Sequence, residues 1–121
     1  MYTIKKGEKF PILFTIKNSD EDKPLDLSNS VIKFCIKDEL RDDFNILEKN
    51  ISETSDAYTD GRILDPKNGE FIIKFSDDDY DKLVAERVYY LVLYWTIPDE
   101  DFVKVISSDG SNVFTIKICY P

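Results

Sequence analysis

Histidine is absent from this chain of 121 residues. That removes His-based general acid/base catalysis, Ser-His-Asp and Cys-His nucleophile arrangements, and every His-containing zinc site. Cysteine is scarce: Cys35 and Cys119 stand far apart in sequence and form no CxxC. Two thiolates cannot close a zinc site alone. Glycine occurs four times and never clusters, so no phosphate-cradling loop is present. The 16 basic residues are scattered among 24 acidic ones, with Lys5-Lys6 the one adjacent pair, and the net charge is −8. Nucleic-acid backbones and anionic membranes both call for basic clusters, so neither is an expected partner. No apolar run is long enough to span a bilayer. No small-residue cleavage site follows Phe10-Pro11-Ile12-Leu13-Phe14, so a signal peptide is not expected.

Aromatic residues are well represented, at 13% of the chain, and argue for a folded core rather than disorder. The length fits one domain, residues 1–121. The dominant signal is a period of two, the mark of half-buried strands. Phe10, Ile12, Phe14 and Ile16 form one such row, and Ile32, Phe34 and Ile36 form another opposite Val31, Lys33, Cys35 and Lys37. Further rows are Phe71, Ile73 and Phe75, and Phe114, Ile116 and Ile118. Residues 38–50 fit two patterns. Leu40, Phe44 and Leu47 have helical spacing, whereas 45–49 can equally form a short strand, which is the preferred reading. Arg62-Ile63-Leu64 and 102–106 add strands. Asp60-Gly61, Asn68-Gly69, 98–101 and Ser108-Asp109-Gly110-Ser111 supply turns.

Val88 to Ile97 is the longest apolar stretch. Tyr89, Leu91, Leu93, Trp95 and Ile97 share one face, and Val88, Tyr90, Val92 and Tyr94 share the other. A strand apolar on both faces belongs in the centre of a sheet or under cover on both sides. Ser76 followed by Asp77-Asp78-Asp79 predicts a short helix near 77–83, with Ser76 as N-cap and Asp79 at the capping-box position. The count is seven to nine short strands and one short helix. The expected fold is therefore an all-β, Ig-like antiparallel sandwich.

The acidic groups are read as structural. The run Asp77, Asp78, Asp79 and Asp81 lacks the glycine and distal glutamate of a calcium loop, and helix capping accounts for it. Asp56 and Asp60 around Tyr58, and Asp99-Glu100-Asp101, are read as turn residues at separate places that do not pool into one site. No metal, cofactor or catalytic residue is assigned. Cys35 and Cys119 both fall on the polar side of their strands, leaving free thiols or a disulfide open. The candidate partner surface is Tyr90, Val92 and Tyr94, because tyrosine is enriched at interfaces and an exposed apolar patch needs a reason. The competing account has one row as core and the other covered by the short helix and loops.

A succession of segments carries a resemblance across nearly the whole chain. Lys6-Gly7-Glu8 precedes an alternating strand. Lys23-Pro24-Leu25-Asp26-Leu27-Ser28 leads into Val31-Ile32-Lys33-Phe34-Cys35-Ile36-Lys37. Residues 69–75 lead into the Ser76 helix and then Val88-Tyr89-Tyr90, and Asp109-Gly110 precedes Val113-Phe114-Thr115-Ile116. This layout resembles small phage tail and baseplate-associated domains, including the N-terminal region of baseplate upper proteins. One departure is Ala85-Glu86-Arg87, where that group commonly has glycine. The resemblance implies a non-enzymatic virion component of a phage or prophage, made in the bacterial cytoplasm. It would need no cofactor and would dock with itself or with other tail proteins. Strand addition at an exposed edge is a second physical mode for such docking. The alternative expectation is a bacterial Ig-like binding module of carbohydrate or adhesin type, which would present an exposed aromatic platform.

Overall fold

The computed structural model describes residues 2–18, 23–39, 44–96, 103–106 and 115–120. Two sheets pack as a β-sandwich. The larger has the order β1 (Tyr2–Lys5), β11 (Thr115–Cys119), β9 (Val88–Thr96), β5 (Val31–Lys37) and β6 (Leu47–Ile51). Strand β10 (Val103–Ile106) pairs with the distal half of β9, on the edge whose proximal half takes β11. The smaller sheet has the order β2 (Ile12–Thr15), β8 (Glu70–Ile73) and β7 (Gly61–Asp65). A short ladder joins β3 (Lys17–Asn18) to β4 (Lys23–Pro24).

The doubly apolar strand is central, as its composition demands: β9 has β5 on one side and β10 and β11 on the other. Residues 47–51 form a strand, so the strand reading of that ambiguous stretch holds. Three features differ from expectation. The described residues contain eleven strand segments, two of them only two residues long. The pair β1–β11 is parallel, so the larger sheet is mixed rather than wholly antiparallel. Phe10 lies outside β2 and is 75% exposed, so the inward row begins at Ile12. The expected turns at 98–101 and 108–111 lie outside the described residues.

The inward rows interlock through aromatic rings. Phe34 of β5 lies 5.2 Å from Phe14, 6.5 Å from Phe71 and 6.1 Å from Phe75, measured between ring centroids. Phe14 and Phe71, on adjacent strands of the smaller sheet, stack at 5.5 Å. Each of these four rings is at most 2% exposed. Burying one such ring contributes about 1.5–3 kcal/mol, with edge-to-face contacts adding to it.

The helix is a five-residue turn, α1 (Asp77–Asp81). Its capping box forms as the sequence predicts. The Ser76 hydroxyl accepts from the Asp79 N–H, and the Asp79 carboxylate accepts from the Ser76 N–H. The turn closes one end of the sandwich. Tyr80 packs on Phe75 at 5.6 Å and donates through its hydroxyl to the Glu8 carbonyl at 3.0 Å. Leu83, just beyond, joins the core.

Two glycines are fixed by geometry. Gly61 (φ +130°) and Gly69 (φ +66°) each place their backbone against a carbonyl oxygen, of Ile72 and Ile16 respectively, where a Cβ would overlap it. Glu86, two residues before β9, takes the left-handed conformation at φ 68°. That conformation suits glycine and strains other residues. Position 86 therefore carries a backbone conformation that favours glycine, met here by a glutamate. Its side chain is tied down on both oxygens: Oε1 accepts from the Tyr120 N–H at 3.0 Å, and Oε2 lies 3.2 Å from Lys117 Nζ.

Candidate functional site

The strand register places Tyr90, Val92 and Tyr94 on the outward side of the larger sheet. Their direct partners on β5 are Lys37, Cys35 and Lys33. Beyond β5, Glu48 stands opposite Cys35 and Asn50 opposite Lys33. Beyond β9, Thr115 stands opposite Tyr90. The three predicted residues thus lie in one row, but they are not equivalent. Tyr90 and Tyr94 are half-buried, whereas Val92 is 4% exposed and Cys35 fully buried. Val92 and Cys35 form the apolar floor of the face, and the flanking tyrosines are the groups a partner can reach.

The helix does not cover this face. Its side chains Asp79 and Tyr80 turn into the sandwich, toward the inward side of β6 and the inner rings. The helix part of the competing account is therefore not met, while its loop part falls in part on residues outside the described ones; on this face Val92, Cys35 and Lys37 are all buried.

Lysines frame the row. Lys33 Nζ sits 5.8 Å from the centroid of the Tyr94 ring and 3.2 Å from Glu48 Oε1. The hydrogen bond to Glu48 and that carboxylate's charge raise the Lys33 pKa, so it stays cationic. Burial pushes the Cys35 thiol up to about 11, and the Glu48 charge adds to the effect. Cys35 is thus a protonated, inert thiol at neutral pH.

Both cysteines are free. The registers explain why. Cys35 stands opposite Val92, while the β11 ladder places Cys119 beyond the start of β9. The two are roughly 20 Å apart along the strands and two strand spacings apart across them, far beyond disulfide reach.

The carboxylates read as separate turn and cap residues behave so in part. Asp56 accepts from the Tyr58 N–H at 2.9 Å, an Asx turn. Asp60 and Asp79, however, converge on one lysine. Lys49 Nζ lies 2.7 Å from Asp79 Oδ2 and 3.6 Å from Asp60 Oδ1. Lys49 alternates with Leu47 and Ile51 on the inward side of the edge strand β6. An inward charge on an edge strand blunts edge-to-edge pairing with other chains. Among the described residues no three metal-ligating side chains gather, and no helix is long and apolar enough to cross a membrane.

An open cleft of about 350 Å³ lies between Glu8, Lys9, Lys74, Phe75, Ser76 and Asp77. Two of its polar side chains have structural partners. The Lys74 ammonium donates to the Lys9 carbonyl, and the Ser76 hydroxyl caps α1. The tyrosine face remains the better candidate for function. No protein-family model matches the chain, and no curated protein is significantly similar to it.

Proposed function

We propose that this chain is a non-enzymatic structural protein of a phage or prophage tail or baseplate, and that it acts by docking protein onto the outer face of its larger sheet. The observation that carries the docking is the pair Tyr90 and Tyr94. They stand half-exposed on either side of a buried Cys35–Val92 floor, on a face that the helix leaves open. Two rigid aromatic side chains over a packed floor are what a binding surface needs. Tyrosine presents large apolar area with few rotors to freeze and a hydroxyl for orientation. The tail setting rests on the resemblance of the sequence segments to tail and baseplate domains.

The test is peptide mass spectrometry on particles released by inducing the source strain. Wild-type chain is expected to co-purify with tails, and a Tyr90→Ser/Tyr94→Ser variant that keeps its circular dichroism spectrum is expected to be lost from them. Particles that reproducibly lack the wild-type chain would remove the virion role and send the work to glycan and cell-wall pull-downs. Unchanged incorporation of the double variant would remove the tyrosine face.

A further inference from the structure

Side chains from three neighbouring strands line up and end on Tyr94. Lys33 of β5 stands directly opposite Tyr94 of β9, and Glu48 of β6 is its diagonal neighbour on the other side. Diagonal pairs in a sheet lie within reach of long side chains. Lys33 Nζ is 3.2 Å from Glu48 Oε1 and sits over the Tyr94 ring, 5.8 Å from its centroid. That separation is within cation–π range. An untethered surface lysine samples many rotamers. The Glu48 carboxylate draws this ammonium to one place, and that place is over the ring. The ion pair itself does little for stability. Its side chains are 46% and 42% exposed, and exposed pairs contribute little.

We infer that Glu48 and Lys33 are positioning residues for the tyrosine face: Glu48 holds Lys33, and Lys33 holds the Tyr94 ring in the orientation that meets a partner. This rests on the docking role of the tyrosine face proposed above. It goes beyond that role, because neither Glu48 nor Lys33 has to touch the partner. The physical effect is pre-organisation. A side chain already held in one rotamer loses less freedom when it binds. The cation also occupies one side of the ring, so the other side and the hydroxyl are what a partner meets. Glu48 thus acts at one remove, through Lys33, on a ring two strands away.

Two measurements on the full chain provide the test. Carbon–proton NMR reads where Lys33 sits. The ring current of Tyr94 is expected to shift the Lys33 ε-methylene protons upfield of those of the other lysines. The shift is expected to vanish in Tyr94→Leu and to shrink in Glu48→Gln. Particle incorporation reads the consequence. Each variant, checked for native circular dichroism, is co-expressed with wild type in the induced strain, and the two are counted in tails by their distinguishing peptides. Glu48→Gln and Lys33→Gln are each expected to be under-represented about two- to fivefold, the worth of one exposed cation–π contact. Lys33→Arg, which keeps the cation, is expected to recover most of that loss. In a Tyr94→Leu background Glu48→Gln is expected to add no further loss, since its effect runs through that ring. An undisplaced Lys33 signal in wild type overturns the contact. Equal incorporation of Glu48→Gln, or an undiminished loss in the Tyr94→Leu background, overturns the positioning and leaves the docking reading standing. Wild type itself missing from tails overturns the docking reading and the positioning together.

Discussion

Lys49 Nζ lies 2.7 Å from Asp79 Oδ2, with each of the two side chains less than a tenth exposed. The same Asp79 oxygen accepts from the Ser76 N–H at 2.8 Å, so one carboxylate both caps α1 and neutralises an inward lysine on β6. Removing Asp79 leaves the buried Lys49 charge with only the 3.6 Å contact to the half-exposed Asp60, which offsets part of the roughly 3 kcal/mol that breaking a buried pair costs. Asp79→Ala is therefore expected to cost clearly more than Ser76→Ala, which forfeits a cap worth about 1 kcal/mol. Burial alone would raise the Asp79 pKa. The hydrogen bonds from Lys49 and Ser76, together with the Lys49 charge, outweigh it and hold the carboxyl below its ordinary value. A lowered carboxyl contributes stability that is present above the unfolded-state pKa, near 4, and is lost as pH falls through the folded value. Urea unfolding at pH 7, 5 and 3 should show that acid loss in wild type and a shallower loss in Asp79→Asn.

Gly61 and Gly69 should be the least replaceable glycines. A Cβ at either would overlap a neighbouring backbone carbonyl, and both already sit at positive φ. Gly7 also has positive φ, at +89°, but a Cβ there meets nothing within 4 Å. Gly7→Ala is expected to cost about 1–2 kcal/mol of backbone strain alone. Gly61→Ala and Gly69→Ala add the overlap with backbone and should lower the thermal midpoint well beyond Gly7→Ala.

The thiols should separate by reactivity. Cys35 has no exposed surface, and burial pushes its pKa up to about 11, whereas Cys119 is half-buried on β11. A maleimide at pH 7.5 is expected to modify one equivalent quickly, with Cys119→Ser abolishing that phase. The second equivalent should react only in denaturant. Fast labelling of Cys35 in the native protein would contradict its place under the tyrosine row.

Where one face of a strand is buried, the sequence pattern was enough to find it. The rows of β5, β8, β9 and β11 follow from apolar residues at every second position, because the pleat forces alternate side chains to opposite faces. The cap of α1 was legible from Ser76 and Asp79 alone. Strand β1 was not, because a four-residue parallel edge has no hairpin turn to announce it. Lys49 was hidden for a different reason. Its neighbours Leu47 and Ile51 at i−2 and i+2 point inward, and that is the one signal that places it there. The convergence of Asp60 and Asp79 on Lys49 depends on how β6, β7 and α1 meet, which no local spacing encodes. On the candidate face the row of Tyr90, Val92 and Tyr94 was readable. The burial of Val92 and Cys35 was not, since it depends on which β5 residue stands opposite each β9 position.

Glu86 gives the sharpest contrast between backbone and side chain. Its φ of 68° favours glycine, yet its carboxylate holds the Tyr120 N–H and pairs with Lys117. The hydrogen bond from Tyr120, then that from Lys117, lowers its pKa. Glu86→Ala keeps the backbone strain and loses both side-chain bonds. Glu86→Gly loses the same bonds but relieves the strain. Glu86→Gly is therefore expected to be the more stable of the two, and Glu86→Gln, which can still accept from Tyr120, to lie closest to wild type. Urea midpoints of the three variants measure the order directly. If alanine matched glycine, the left-handed backbone at position 86 would carry no strain. If glutamine fell to the level of alanine, the Lys117 pair rather than the Tyr120 bond would be what holds β11 to the start of β9.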